Sequence, residues 1–148
     1  MRDEERIRRV LSDRGLASHM NDTKWQKLCD AVHTELPFKP PYQVKMVEFD
    51  APDLAAFPYA PSFVGDWGAT YEGQLGIHIE WIRIAPRLSK HRGELVSPVI
   101  EECSDELRSL LKRLHIPFVE QDGFFTVYGH STGIAISKPG KLTEMRTR

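Results

Sequence analysis

The sequence predicts an α+β fold: a single domain, residues 1–148, in which an antiparallel or mixed sheet has helices packed on one face. Two observations lead to this prediction. Apolar residues recur at helical spacing in three separate segments, and short segments with strand-like alternation lie between and after them. Because strands and helices do not alternate regularly, this order favours an α+β domain over a parallel α/β sheet. A chain of 148 residues suits one domain.

Two helices are predicted in the first quarter of the chain. Residues 1–16 contain the first, at 3–14, where apolar residues repeat at helical spacing and a glycine follows at the expected end. The second begins at Asn21 or Asp22, since either side chain can cap free N–H groups, and ends at the proline-rich run from Pro37. Its apolar face comprises Trp25, Leu28, Cys29, Val32 and Leu36.

The middle of the chain is predicted to hold strands joined by an irregular loop. Residues 42–49 alternate as a half-buried strand does, whereas residues 50–64 contain three prolines and are expected to form a loop. We expect the loop to pack three aromatic side chains against the body: Phe57, Tyr59 and Phe63. A further strand is expected at 65–73 and the clearest one at 77–84. In the latter the alternation changes phase after Trp81, which indicates either cover on both faces or a β-bulge.

The third predicted helix, residues 98–114, has the strongest helical signals in the chain. Ser97 suits the N-cap and Pro98 the first helical position. Acidic residues fill the first turns and basic residues the last, which suits the helix dipole. One apolar stripe is expected to support the core: Ile100, Cys103, Leu107, Leu110, Leu111 and Leu114.

Strands are predicted to close the fold. Residues 118–121 and 124–128 flank an Asp-Gly pair, which is typical of a two-residue hairpin turn. A last strand at 133–137 can pair next, and the polar residues 138–148 are expected to fray.

The charge balance argues against a general nucleic-acid binder. Lys and Arg number 20 and Asp and Glu 21, so the net charge is −1, whereas nucleic-acid-binding domains are usually basic. The charge is unevenly spread: residues 41–80 hold six acids and one base, and residues 81–93 hold four bases and no acid. Either two solvated loops partly neutralise each other, or an acidic surface is offered to a basic partner.

The expected location is the cytoplasm. No apolar run approaches the roughly 20 residues of a membrane span, and the charged start of the chain lacks the apolar core of a signal peptide. Cys29 and Cys103 are too few for a disulfide framework and lack metal-ligand spacing, so we expect reduced, unreactive core thiols. No metal or cofactor is assigned.

The motifs of several common enzyme classes are missing from the sequence. It lacks a phosphate-binding glycine loop, a G-x-S-x-G elbow and an H-E-x-x-H helix. The segment 129–133, Gly-His-Ser-Thr-Gly, does place His130 beside Ser131. Because adjacent strand residues point to opposite faces, we interpret this segment as a turn between strands, not as a nucleophile with its base.

His78 and Glu80 are the first candidate for chemistry. Two positions apart on an unbroken strand, they would share one face and supply two metal ligands, or a base and its orienting acid. Asp66 would complete a small hydrolytic site, and Tyr71 and Arg83 join it if the preceding strand pairs alongside. The alternative is a solvated hydrogen-bonded pair, and two ligands alone do not make a metal site.

A surface for a protein partner is the second candidate. Trp67 lies in a glycine-flanked acidic segment and is predicted to be exposed, where an indole ring would anchor a partner. Trp25 and Trp81 are expected to be buried anchors of the core. The expected binding residues are Trp67, Asp66, Asp50, Asp53, Tyr71, Glu80 and Arg83.

Several segments resemble an uncharacterised family of small bacterial proteins. The matching parts are the Asn-Asp-Thr-Lys-Trp block at 21–25, Trp67, the Ile-Glu-Trp strand at 79–81, and the segment 116–129. The resemblance covers most of residues 17–130 and implies a bacterial source and a shared fold, but no catalytic residues. In size and α+β style the chain is also similar, by analogy alone, to immunity proteins that protect bacteria against delivered toxins.

The leading functional hypothesis is therefore a small cytoplasmic protein-binding module, whose specific form is an immunity-type inhibitor of a basic toxin domain. No membrane binding and no general nucleic-acid binding are expected. Two alternatives stay open. One is a small enzyme or metal-dependent hydrolase that uses His78, Glu80 and Asp66. The other is a small-ligand binder with Trp67 and Trp81 as stacking walls.

Overall fold

A computed structural model describes residues 2–67 and 76–132. Its helices are α1 (Arg2–Asp13), α2 (Asp22–Glu35) and α3 (Ser104–Arg113). Its strands are β1 (Ala17–Ser18), β2 (Tyr42–Met46), β3 (Ile79–Ile84), β4 (Arg87–Lys90), β5 (Val99–Glu102), β6 (Phe118–Gln121), β7 (Phe124–Tyr128) and β8 (His130–Ser131). The described strands pair antiparallel, and the predicted α+β fold is confirmed.

Within the described residues, the main sheet has four strands in the order β2-β3-β7-β6. Tyr42 lies opposite Ile84, and Ile82 lies opposite Val127. Because side chains alternate between faces, one face carries the apolar members of such pairs: Tyr42, Val44, Ile82, Ile84, Phe118, Phe125 and Val127. These residues belong to one core with the apolar faces of α2 and α3, so both helices cover the same side of the sheet.

A β-bulge explains the phase change in β3. The register between β2 and β3 shifts between Lys45 and Met46, and Glu80 on the facing strand is skipped. As a result Ile79 reaches the same buried core as Ile82, although the two stand three positions apart. Of the two interpretations of the sequence pattern, the bulge is the one that the structure shows.

The remaining core assignments follow the predicted helical faces. Trp25 of α2 and Leu107 of α3 are fully buried in the main core, and α1 covers a smaller cluster of Ile7, Leu11 and Val47. Cys29 and Cys103 are free and buried, as expected, and burial raises the pKa of each thiol to about 12.

Local signals in the sequence located two element ends and one turn correctly. The Asn21 side chain accepts a hydrogen bond of 2.8 Å from the Lys24 backbone N–H, so Asn21 is the N-cap of α2. Gly15 follows α1 with φ of +69°. Asp122 and Gly123 have φ of +55° and +87°, the left-handed pair of a type I′ turn, between β6 and β7.

The prediction of a helix over 98–114 was wrong in its first third. Residues Val99–Glu102 form β5, which pairs with β4, a strand that the sequence did not indicate, and α3 begins only at Ser104. Val99 and Ile100 are β-branched and suit a strand, and the ion pair of Arg87 with Glu102, at 3.5 Å, offsets charge across the pairing. Pairing in the tertiary structure therefore overrode the capping signal at 97–98.

Other segments differ from expectation or lie outside the described residues. β2 ends at Met46, before residue 49, and β3 begins at Ile79 because Gly76–His78 form a 3₁₀ turn. Residues 65–67 are not a strand, and residues 68–73 of that prediction lie outside the described residues. The strand predicted at 133–137 and the tail at 138–148 also lie outside them.

The 50–64 loop packs two of its three aromatic rings against the body. Phe57 is buried and stacks on Phe124, with ring centroids 5.2 Å apart. Tyr59 meets the same ring edge to face, with centroids 6.5 Å apart, but stays largely exposed, as does Phe63. A short 3₁₀ turn, Leu54–Ala56, lies within it. No helix within residues 2–67 and 76–132 is long and apolar enough to cross a membrane.

Candidate functional site

The predicted His78–Glu80 face is interrupted in the structure. His78 belongs to the 3₁₀ turn, where its carbonyl oxygen accepts a 2.7 Å hydrogen bond from the Val47 N–H, and only Glu80 lies on β3. The Glu80 carboxylate accepts two hydrogen bonds of 3.0 Å from the Arg14 guanidinium and one of 2.8 Å from Lys45 Nζ. The Glu80 carboxylate is thus held by two cations, Arg14 directly after α1 and Lys45 of β2.

The charge state of Glu80 follows from this environment. Glu80 is 9% exposed, and burial by itself would raise the pKa of its carboxyl group. The hydrogen bonds and charges of Arg14 and Lys45 outweigh burial and lower the pKa below its ordinary value. Glu80 is therefore ionised at neutral pH and joins α1 to the main sheet, a role that needs no substrate.

The predicted metal site gains no further ligands from the folded structure. Within the described residues, no group of three or more His, Cys, Asp and Glu side chains could hold a metal ion. Asp66 is at the surface and Tyr71 lies outside the described residues. Arg83 donates a 2.7 Å hydrogen bond to Gln43 Oε1, and its guanidinium lies 4.6 Å from the centre of the Trp81 ring.

The prediction that Trp67 is exposed was wrong. Trp67 is 0% exposed, its Nε1 donates a 2.8 Å hydrogen bond to the Pro40 carbonyl oxygen, and its ring meets Tyr42 edge to face at 4.9 Å. The indole N–H can only donate, so the Pro40 carbonyl oxygen satisfies the one polar atom of this buried ring. Trp67 therefore anchors the 61–67 segment to the main core.

The acidic stretch is partly neutralised within the fold. Glu48 forms hydrogen-bonded ion pairs of 2.6 and 2.9 Å with Arg6, and Glu80 is paired as described above. Asp53 caps the 3₁₀ turn by accepting from the Ala55 N–H at 3.0 Å. Asp50, Asp53 and Asp66 are exposed and keep a smaller acidic surface than the sequence implied.

Although Trp67 is buried, other large apolar side chains are exposed, and they lie in two segments of the chain. The first group, which we name the loop patch, contains Phe49, Leu54, Tyr59, Phe63 and Val64. The second, the ribbon patch, lies on β5 and the residues before it: Leu95, Val96, Val99 and Ile100. Leu95 is 99% exposed. Ile100, the first residue of the apolar stripe that was predicted to be core, is 53% exposed.

Buried Arg87 joins the 50–64 loop to the β4–β5 ribbon. Its guanidinium lies 3.6 Å from the centre of the Tyr59 ring, and its Nε donates a 2.8 Å hydrogen bond to the Tyr59 carbonyl oxygen. It also donates to the Gly123 carbonyl oxygen and pairs with Glu102. The Ser89 N–H reaches the Pro61 carbonyl oxygen at 2.8 Å, which adds a backbone link between the β4–β5 ribbon and the loop.

A pair of serine–histidine contacts was missed by sequence reasoning. Strands β1 and β8 place Ser18 opposite His130, and Ser18 Oγ lies 2.7 Å from His130 Nδ1. His19, which directly follows β1, places its Nε2 2.6 Å from Ser131 Oγ. The neighbours His130 and Ser131 thus each contact one of two successive residues, Ser18 and His19. A single sequence carries no signal for this pairing, because the partners are 112 positions apart.

The His130 ring is held in one orientation. Its Nε2 lies 2.9 Å from the Ile77 carbonyl oxygen, which can only accept a hydrogen bond. His130 is 3% exposed, and burial lowers its pKa more than the Ile77 carbonyl and the Glu80 charge raise it. The pKa of His19 is also lowered, by burial and by the charges of His130 and Lys24. Both rings are therefore mainly neutral at pH 7.

Comparison with known proteins identifies one family. The profile of DUF6678, described as a family of unknown function, matches residues 7–133. The match covers most of the chain, including the Asn21–Trp25 block and the β3 strand. No curated protein and no solved structure matches the chain.

Proposed function

Because the chain belongs to DUF6678, a family that brings no known activity with it, we propose from its own surface that it is a protein-binding module. The partner is held against the loop patch and the ribbon patch. One observation carries this proposal: all nine exposed large hydrophobic residues among those described belong to these two segments, Phe49–Val64 and Leu95–Ile100. Single exposed apolar residues are ordinary on a protein surface, whereas clustered ones typically mark a contact region.

The fold holds this surface in place without covering it. Arg87 fixes Tyr59 and Glu102 by the contacts described above, and the backbone link from Ser89 to Pro61 holds the ribbon beside the loop. A surface ordered before binding loses less entropy when a partner docks. Aromatic residues such as Phe63 and Tyr59 are also the types enriched at the centres of protein interfaces.

The charges around the loop patch favour a partner with a basic rim. Asp50, Asp53 and Asp66 are exposed in or near this loop, and acidic groups at the edge of an interface speed encounter with a basic protein. An immunity-type inhibitor of a basic toxin domain in a bacterial cytoplasm is the specific form of the proposal. It rests on these charges and on the size and α+β style of the chain.

The geometry gives less support to the other two hypotheses. A hydrolase centred on His78 and Glu80 would have to use a carboxylate already held by Arg14 and Lys45. A ligand held between Trp67 and Trp81 would need both rings on one side of the sheet. Trp67 packs with Tyr42 in the helix-covered core, whereas Trp81 alternates with Ile82 and faces the other side.

Affinity capture with matched baits tests the binding proposal. Immobilised wild-type protein, Leu95→Asp, Phe63→Asp and the control Gln26→Asp, which puts the same charge on the exposed side of α2, are incubated with host lysate. We expect a protein that quantitative mass spectrometry finds on the wild type and the control but at least about tenfold less on both patch variants, since a hot spot contributes roughly 2 kcal/mol or more. The same proteins in the same amounts on all four baits would disprove the proposal.

A further inference from the structure

We propose that Ser18 is a nucleophile with His130 as its general base, and that this pair hydrolyses small carboxylic esters. The inference is independent of the partner-binding surface. It begins from the 2.7 Å contact between Ser18 Oγ and His130 Nδ1, which the pairing of β1 with β8 creates.

The Ile77 carbonyl oxygen determines which nitrogen of His130 carries the proton. A carbonyl oxygen accepts and never donates, so the 2.9 Å contact requires a proton on Nε2. In a neutral ring Nδ1 then has its lone pair free, and Ser18 Oγ–H must be the donor to it. A hydroxyl that donates to a buried imidazole, which is itself oriented by a third group, is the arrangement that activates serine in hydrolytic enzymes.

The nucleophile of the pair is open to solvent and its base is buried, as a serine–histidine site requires. Ser18 is exposed, so a substrate reaches its hydroxyl from solvent, whereas His130 is 3% exposed and held against Ile77. The low pKa that burial gives His130 keeps the ring neutral and able to accept a proton at pH 7. The charged groups that act on the ring are Glu80, Arg14 and Arg8.

The proposed reaction balances with an ester and water as the only reactants. The Ser18 Oγ lone pair forms a bond to the ester carbonyl carbon while the hydroxyl proton passes to His130 Nδ1. The tetrahedral intermediate expels the alcohol, which takes that proton, and leaves an acyl group on Ser18. Water then attacks the acyl carbon, gives a proton to Nδ1, and the Oγ–carbon bond breaks with return of the proton to Ser18.

The substrate class follows from what the pair supplies. A positioned general base contributes roughly 10²–10⁴-fold to a rate. This range suits esters with a good leaving group, whose uncatalysed hydrolysis is already measurable, and falls far short of what peptide bonds require. Both residues of the two-residue strand β1 are exposed, so small esters can reach the Ser18 hydroxyl directly from solvent.

The second serine–histidine contact is a natural control. Ser131 is the neighbour of His130 on β8, and its partner His19 directly follows β1. Because successive residues of a strand alternate, the Ser131 side chain lies on the opposite side from that of His130. Ser131 is only 8% exposed, so its hydroxyl is shielded from a substrate. Ser131→Ala therefore removes the same atom from the same strand pair without touching the proposed nucleophile.

Two assays on the full chain test the proposal: hydrolysis of p-nitrophenyl acetate, and labelling by a fluorophosphonate followed by peptide mass spectrometry. We expect the label on Ser18, and a loss of at least about 100-fold in the enzyme-dependent rate for Ser18→Ala and His130→Asn. Ser131→Ala should keep both label and rate. Absence of label from Ser18 in the wild type, or a Ser18→Ala rate equal to that of the wild type, would overturn the proposal.

A further variant keeps the test valid if Ser18→Ala or His130→Asn fails to fold. Ser18→Cys introduces a thiol beside His130 Nδ1, while the native Cys29 and Cys103 are buried with thiol pKa values raised to about 12. We expect iodoacetamide to modify position 18 at least tenfold faster than a Ser12→Cys control on the exposed face of α1, since a neighbouring imidazole promotes the thiolate. Equal rates at the two positions would show that His130 does not act as a base there.

Discussion

The main sheet and the β4–β5 ribbon are built from similar residues but bury them very differently. In the sheet, Ile82 and Ile84 are fully buried beneath α2 and α3. In the ribbon, the adjacent residues Val99 and Ile100 point to opposite faces, and both remain exposed. β-Branched residues therefore indicate a strand, whereas the burial of that strand depends on which elements the fold packs over it. Four predictions test how far this contrast holds.

The largest expected effect contrasts Trp67 with Phe63, two aromatic residues only four positions apart. Trp67→Ala should lower the free energy of unfolding by about 3–5 kcal/mol, because it leaves a large cavity and an unpaired Pro40 carbonyl. Phe63→Ala, in the loop patch, should change it by less than about 0.5 kcal/mol. Urea denaturation followed by fluorescence or circular dichroism measures both. A similar loss for the two variants would contradict the assignment of buried and exposed rings.

The second prediction compares a core leucine of α3 with an apolar residue of the ribbon patch. Leu107→Ala should cost about 2–5 kcal/mol, since Leu107 is fully buried between α3 and the sheet. Ile100→Ala should cost less than about 1 kcal/mol in stability. Denaturation midpoints give both values. If Ile100→Ala proved as costly as Leu107→Ala, the ribbon patch would be buried in solution, and the binding proposal would lose its support.

The third prediction concerns the Glu80 ion pairs that join α1 to the sheet. Glu80→Gln should cost about 2 kcal/mol, because it leaves two cations without their carboxylate. The figure lies below that of a fully buried pair because the Arg14 side chain is partly in solvent. Glu4→Gln, which removes an exposed carboxylate from α1, is the control and should have little effect. Chemical denaturation at pH 7 distinguishes them, and equal stabilities would contradict the role of Glu80.

The same carboxylate gives the third prediction a pH dependence. Glu80 has a folded-state pKa below its ordinary value of 4.5. Its contribution to stability is present above pH 4.5 and is lost as pH falls through the folded-state pKa. The stability difference between the wild type and Glu80→Gln should therefore shrink on acidification, and a difference that grew would have the wrong sign.

The smallest expected effect comes from His130 of β8 and His19, which directly follows β1. Burial lowers the pKa of both, so the unfolded chain binds protons first as pH falls through about 6.5. Stability should decrease below that pH, by at most about 1.4 kcal/mol per pH unit for each proton. His130→Asn should flatten this slope, whereas the control His33→Asn, at an exposed position of α2, should not. Unfolding curves at pH 7.5 and 5.5 provide the measurement, and an unchanged slope in His130→Asn would contradict it.

Local signals in the sequence were enough to predict much of the fold. Asn21 capped α2 because its side chain bonds a neighbour three residues away, and Asp122-Gly123 turned a hairpin because both residues adopt positive φ. The apolar faces of α2 and of Leu107–Leu111 in α3 were read correctly because helical spacing places them on one side. Each of these features depends on residues close together in the chain.

The candidate site was predicted less well, because its members meet across long distances in sequence. Glu80 was identified as unusual, but its partners Arg14 and Lys45 lie 66 and 35 positions away, and no periodicity relates them to β3. Asp50, Asp53 and Asp66 are exposed as the binding hypothesis requires, whereas Trp67 is not. The ribbon patch was missed because the Ser97-Pro98 signal favoured a helix over the strand that β4 stabilises.

The sequence by itself determined the α+β class, the apolar faces of the helices and the hairpin turn, because spacing, capping and turn chemistry act between neighbours. Contacts between distant segments make Val99–Glu102 a strand, bury Trp67 with its hydrogen bond to the Pro40 carbonyl, and bring Ser18 to His130. These outcomes depend on which distant segment supplies a hydrogen-bond partner or excludes water. Local propensity does not fix such pairings, which are set when all the strands and helices pack together around one core.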